Sequence, residues 1–137
     1  MNNLNLLIIC ILFTLIQSYL SAQSEPILYF CERYDEFEGE VGIGDRFTKG
    51  SATILVRSDN PLNLIRLIIR YDKYNTRNNQ FEYYKKSFFD TEQDKNFLTF
   101  VMNKENGMEF EHQGFYRVYL LDEDEQMITS ALIEIID

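Results

Sequence analysis

His112 is the single histidine of this 137-residue sequence, so any hydrolase using a histidine base would depend on it. A serine or cysteine nucleophile needs such a base within hydrogen-bonding reach. The residue lies in the stretch Glu111-His112-Gln113-Gly114, where a loop is expected, and no nucleophile-elbow motif occurs in the chain. We therefore interpret His112 as an exposed loop histidine.

Metal and phosphate sites have equally little support in the sequence. A structural zinc site needs several His or Cys ligands, and the acidic run 122–125 lacks the glycine and the alternate spacing of a calcium-binding EF-hand loop. That run is interpreted as a solvated hairpin tip, and whether it binds calcium is left open. Gly42-Ile43-Gly44 is followed by no Lys-Ser or Lys-Thr and opens no predicted helix, so it is not a phosphate loop. The sequence thus predicts no catalytic residue, no metal and no cofactor, and a protein that is not an enzyme.

The first 22 residues have the composition of a secretory signal peptide. Residues 4–16 are almost wholly apolar, and small Ala22 precedes a suitable cleavage point. An uncleaved membrane anchor is the alternative, although the apolar run is short for a span. We predict a signal peptide at 1–22 and one domain at 23–137, exported to the periplasm or secreted, with no membrane insertion after cleavage.

The formal net charge of −9 restricts the partners of such a domain. An acidic protein is repelled by nucleic acids and by anionic membranes, so neither is expected as a partner. Cys10 falls in the leader, which leaves Cys31 as the one cysteine of the mature chain. Because it lies in an apolar run, a buried, inert thiol is expected, and a bridge between two chains is the alternative.

Short apolar runs of alternating pattern predict an all-β chain. They are rich in Ile, Val, Phe, Tyr and Thr and are separated by clusters of Asn, Asp, Gly and Pro, which is typical of strands and turns. The predicted strands are 27–33, 51–57, 64–72, 81–89, 97–102, 114–121 and 127–136. The glycine-rich residues 39–50 are expected to form a loop or a kinked edge segment. Seven strands at this spacing predict an antiparallel sandwich.

The stretch Gly114-Phe115-Tyr116-Arg117-Val118-Tyr119-Leu120 resembles the penultimate strand of immunoglobulin-like domains. The resemblance implies that the Tyr116 hydroxyl bonds to nearby backbone and that Val118 points into the core. Antibody domains place a disulfide cysteine at the position of Val118, and this chain has no tryptophan. The chain is therefore similar to disulfide-free bacterial immunoglobulin-like and fibronectin-III-like sandwiches.

Alternation along this strand predicts a possible binding face. If Tyr116 and Val118 point inward, then Phe115, Arg117 and Tyr119 point outward, beside outward residues of 64–72 and of the last strand. The candidate interface residues are Arg66, Ile68, Arg70, Arg117 and Tyr119. Arg and Tyr are enriched at protein interfaces, so we expect a protein-binding or envelope-assembly module with another envelope or extracellular protein as partner. Two alternatives stay open: an ordinary exposed sheet, and a carbohydrate-binding module with two or three coplanar exposed aromatic rings.

Overall fold

The computed structural model describes residues 25–137, which form ten β-strands and no helix. The strands are β1 (Ile27–Cys31), β2 (Arg33–Asp35), β3 (Gly39–Val41), β4 (Arg46–Thr48), β5 (Ala52–Arg57), β6 (Arg66–Asn75), β7 (Gln80–Asp90), β8 (Phe97–Met102), β9 (Gly114–Leu121) and β10 (Met127–Ile136). The predicted signal peptide, residues 1–22, lies outside the described residues. Between residues 25 and 137 no helix of the length and hydrophobicity of a membrane span is found.

Two sheets pack face to face, as the alternating pattern predicts. The smaller sheet has the antiparallel order β1-β5-β8, and the larger has the order β4-β10-β9-β6-β7, in which only β4 and β10 run parallel. Strand β9 lies between β6 and β10, as expected from the sequence. The seven longer strands match the predicted ones, whereas β3 and β4 fall in the region that was expected to be a loop or a kinked edge, and β2 overlaps the first predicted strand only at Arg33.

The core consists of the inward side chains of both sheets. The smaller sheet contributes residues such as Leu28, Phe30, Ile54, Val56 and Phe100, and the larger contributes Leu67, Ile69, Tyr71, Val118 and Leu120. The connection between β8 and β9 adds Phe110, whose ring stacks on Tyr71 with centroids 4.6 Å apart. This period-two burial is what an antiparallel sandwich with one apolar face per sheet requires.

Tyr116 occupies the predicted corner position at the start of β9. Its ring is fully buried, and its hydroxyl donates a 2.6 Å hydrogen bond to the His112 carbonyl. Gly114 has φ +138, a conformation that L side chains rarely adopt, and a Cβ there would approach the Lys73 side chain to 3.2 Å. The corner predicted from the resemblance is confirmed, and Val118 points into the core as expected.

The hairpin β2–β3 forms a small third layer over the outer face of the smaller sheet. Cys31, Thr53 and Leu55 have outward parity on β1 and β5, yet all three are buried. The hairpin is attached above them through Glu40, which accepts hydrogen bonds from the Tyr29 hydroxyl (2.5 Å) and from Arg57 (2.8 Å). The buried thiol expected at Cys31 is confirmed, and it is free within the described chain.

Candidate functional site

The outer face of the larger sheet carries cations interleaved with aromatic rings. We call it the cation–aromatic face and define it by Arg70, Lys86, Arg117, Phe81, Tyr83, Phe88 and Tyr119. Cross-strand pairing of β6, β7 and β9 brings these residues together. Each cation lies over at least one ring, the closest being Arg117 over Phe81, at 4.9 Å from guanidinium carbon to ring centroid.

An ion pair stands at the centre of the face. The Nε and Nη2 groups of Arg70 donate bonds of 2.7 and 2.9 Å to the two oxygens of Asp72, which is only 5% exposed. The rings of Tyr83 and Tyr119 lie 5.5 and 5.6 Å from the same guanidinium. The hydrogen bond to Asp72 raises the pKa of Arg70 further above its usual value. Arg70 is therefore held rigidly, and its Nη1 group takes no part in the pair.

Arg117 differs from the other cations of the face. It pairs in register with Asp72 on β6 and with Leu132 on β10. Lys86 forms an ion pair with Glu125, but Arg117 has no carboxylate within ion-pairing distance among residues 25–137. Among the three cations of the face, Arg117 is therefore the one whose charge is not neutralised by an ion pair with residues 25–137.

A β-bulge sets which side chains of β7 reach the face. The register between β6 and β7 shifts at Tyr71/Asp72, so that Tyr71 pairs with Lys85 while Asp72 pairs with Tyr83. Tyr84 is the extra residue, and its ring packs inward against Tyr116 at 5.6 Å. Such a bulge reverses the inward and outward parity of the rest of the strand.

The predicted interface residues lie on the outer side of the larger sheet, but they are not equally accessible. Arg70, Arg117 and Tyr119 meet in the cation–aromatic face, and Arg66 lies exposed at the start of β6 in a 3.2 Å pair with Asp90. Ile68 was expected to be exposed and is only 1% exposed, so that expectation is corrected. In register it is flanked by Phe88 on β7 and by Leu121 on β9, and these apolar neighbours cover it.

Sequence reasoning missed the contribution of β7. Phe81, Tyr83, Lys86 and Phe88 belong to the face because of the bulge, which no local residue pattern marked. Large apolar side chains remain exposed around the cations, including Phe88, Phe115 and Leu132, each more than half exposed. The face therefore combines fixed charge with accessible apolar surface.

The other sequence-predicted candidates lie elsewhere. His112 is exposed in the loop before β9, as expected, with its ring 6.4 Å from that of Tyr84. At the acidic tip, Asp122 accepts hydrogen bonds from the amides of Asp124 and Gln126 (2.9 and 2.8 Å), the geometry of a tight turn. No group of three or more His, Cys, Asp or Glu side chains suited to a metal ion is found within residues 25–137.

The rings of the face differ from those of a sugar-binding platform. Tyr83 and Tyr119 have the Arg70 guanidinium against them, and Phe88 has Lys86 5.9 Å from its centroid. Stacking on a sugar uses a free aromatic face, and these rings already contact cations.

Comparison with known proteins identifies the fold and no family. Neither a family model nor a curated protein of similar sequence matches the chain. An immunoglobulin-like protein from Pseudomonas aeruginosa matches in structure with a TM-score of 0.51 at 10% identity, covering 85% of this chain and 100% of that one. The predicted immunoglobulin-like, all-β sandwich is confirmed.

Two further solved structures are more distant. The soluble domain of PmoD from Methylocystis sp. matches with a TM-score of 0.44 at 13% identity, covering 81% of this chain and 90% of that domain. A superoxide reductase (neelaredoxin) from Ignicoccus hospitalis matches with a TM-score of 0.43 at 7% identity, covering 83% of this chain and 82% of that enzyme.

The presence of a superoxide reductase among these structures contradicts the prediction that the protein is not an enzyme. That prediction assumed that a sandwich without a recognisable catalytic motif is a binding module. Enzymes occur with a similar arrangement of strands, and one architecture hosts many activities. The prediction is withdrawn, and the distant likeness transfers no activity to this chain.

Proposed function

We propose that this chain is an exported module that binds another envelope or extracellular protein through its cation–aromatic face. The observation that carries the proposal is Arg117, a cation that lies against a ring and has no carboxylate partner among residues 25–137, in a protein of net charge −9. A sheet face serving solubility alone would be expected to carry the acidic character of the rest of the chain. Here the concentration of cations and exposed rings gives a surface suited to binding.

The chemistry of the face indicates what it recognises. Arg117 and the Nη1 group of Arg70 are hydrogen-bond donors suited to carboxylates. Phe115 and Leu132 lie beside them as exposed apolar surface. We propose a partner segment that combines acidic side chains with at least one apolar or aromatic side chain.

Preorganisation supports the same proposal. The side chains of Arg70 and Tyr83 are already ordered by the Asp72 pair and by the ring contact. A face whose long side chains are fixed before binding loses less conformational entropy when a partner docks. Arg and Tyr in such positions are the residues that most often dominate interface energetics.

Arg117→Glu tests the proposal. The exported protein would be used to capture partners from envelope extract and from culture medium, with Lys104→Glu, a charge reversal in the exposed turn after β8, as the matched control. We expect the first variant to lose capture of a specific protein by about tenfold or more, and the control to retain it. Thermal melts confirm that both variants are folded. Equal capture by both variants would overturn the proposal.

A further inference from the structure

The tip of hairpin β2–β3 presents an aromatic side chain to solvent. Phe37 is 97% exposed, more than any other large apolar residue between residues 25 and 137. An aromatic ring so exposed gains free energy when a partner covers it. We infer that Phe37 is the anchor by which one copy of this chain docks on the cation–aromatic face of a second copy. The inference rests on the proposed binding function of that face.

The tip is a built structure rather than a loose loop. Asp35 accepts hydrogen bonds from the backbone amides of Phe37 (2.8 Å) and Glu38 (3.0 Å), and Arg33 forms a 2.7 Å ion pair with Glu38. Gly39 has φ +75, which closes the turn. A preorganised turn that displays one ring is the geometry of an interface anchor.

Charge selects the second copy as the occupant. The segment 33–40 carries four carboxylates, those of Asp35, Glu36, Glu38 and Glu40, against one cation. Only Glu38 and Glu40 form ion pairs there, with Arg33 and Arg57. The tip therefore offers what the face is suited to accept, namely an aromatic ring flanked by carboxylates. The same charge disfavours an anionic membrane as the occupant.

The two complementary surfaces lie on opposite sides of the sandwich. The hairpin covers the outer face of the smaller sheet, where Tyr34 packs on Phe97 of β8 with ring centroids 5.5 Å apart. The cation–aromatic face is the outer face of the larger sheet. The tip of one molecule therefore cannot reach the cation–aromatic face of the same molecule, and the arrangement does not predict a two-fold symmetric dimer. Head-to-tail docking of this kind propagates beyond two copies, into an open chain or a closed ring.

The experiment is sedimentation velocity of the exported protein over a range of concentrations. A contact made by one hairpin tip is small, so the association should be weak. We therefore expect the weight-average mass of the wild-type protein to exceed that of a dimer only at protein concentrations of about 0.1–1 mM. The variant Glu36→Lys/Phe37→Ser should associate at least about tenfold more weakly. Val101→Ser, at a 54%-exposed apolar position on β8, is the control and should behave as wild type.

Mixing two defective variants separates this arrangement from other modes of association. The tip variant Glu36→Lys/Phe37→Ser retains an intact face, and Arg117→Glu retains an intact tip. Each should be monomeric alone, and an equimolar mixture should form a dimer and nothing larger. A wild-type protein that is monomeric throughout, or that stops at a dimer, would overturn the inference. If Arg117-dependent capture of another protein persists in that case, the proposed function stands and only self-docking fails.

Discussion

Asp72 shows at the residue scale how the side chains of the cation–aromatic face are held in place. Its carboxylate is 5% exposed on the outer side of the sheet and receives both hydrogen bonds from Arg70. A buried charge that loses its partner costs more than the pair itself contributes. Reversing the charge of Arg70 would therefore destabilise the domain as well as change the face.

Two arginines of β6 provide a matched comparison. Arg70→Gln should lower the free energy of unfolding by about 3 kcal/mol because it leaves Asp72 buried without its partner. Arg66→Gln, which breaks a pair with 79%-exposed Asp90, should cost less than about 1 kcal/mol. Urea unfolding of both variants measures the difference. An equal decrease in the free energy of unfolding for both variants would mean that Asp72 is not isolated from water.

Alternation along β9 was readable from the sequence, whereas the surroundings of Arg70 were not. Tyr116, Val118 and Leu120 are buried as the period-two pattern predicts. The burial of Ile68 and the position of Tyr83 depend on neighbouring strands and on the bulge in β7. A bulge is a property of strand pairing, so a single-strand pattern carries no mark of it.

At the element scale, the hairpin β2–β3 was the feature least visible beforehand. Residues 39–50 were expected to form a loop or a kinked edge because of their glycines, and the three-residue strands there are too short for a clear alternation. What stabilises the hairpin is long-range, since Glu40 contacts Tyr29 and Arg57 on two strands of the smaller sheet. Pairing of this kind cannot be inferred from local residue types.

The accessibility of Cys31 reports on this hairpin. In Arg57→Ala the pair with Glu40 and the contact with Phe97 are both lost, so the hairpin should open more often and Cys31 should react several-fold faster with a thiol reagent. Burial raises the pKa of Cys31, and Glu40 adds to that effect. This variant keeps Glu40, so the carboxylate that adds to the raised pKa of Cys31 is still present.

Arg33→Ala is the matched control for this labelling experiment. It removes an arginine from the same hairpin but breaks only the exposed pair with Glu38 at the tip. Cys31 in this variant should react at the wild-type rate. Faster labelling in both variants would show that the tip, rather than the attachment to the smaller sheet, keeps the hairpin closed.

At the scale of the whole molecule, one core joins the two sheets, and its centre is built from tyrosines. Tyr71 donates a 3.0 Å hydrogen bond to the Met108 carbonyl and has its ring 6.4 Å from that of Tyr116. Burial raises the pKa of both residues above the ordinary value of 10.0. We therefore expect the ionisation of both phenols to be coupled to unfolding.

Stability should therefore fall in alkali. A raised folded-state pKa means that the stabilisation is complete below pH 10 and is lost as the pH rises towards the folded-state value, because the unfolded chain releases its protons first. Each such group adds at most about 1.4 kcal/mol per pH unit to the slope once the pH is above 10, so Tyr71→Phe should lower the slope by about that amount. Urea unfolding in the range from about pH 9 to 11 measures the slope, and phenolate absorbance reports ionisation directly. Ionisation of all tyrosines while the fold persists would contradict the coupling between these phenols and the packing of the two sheets.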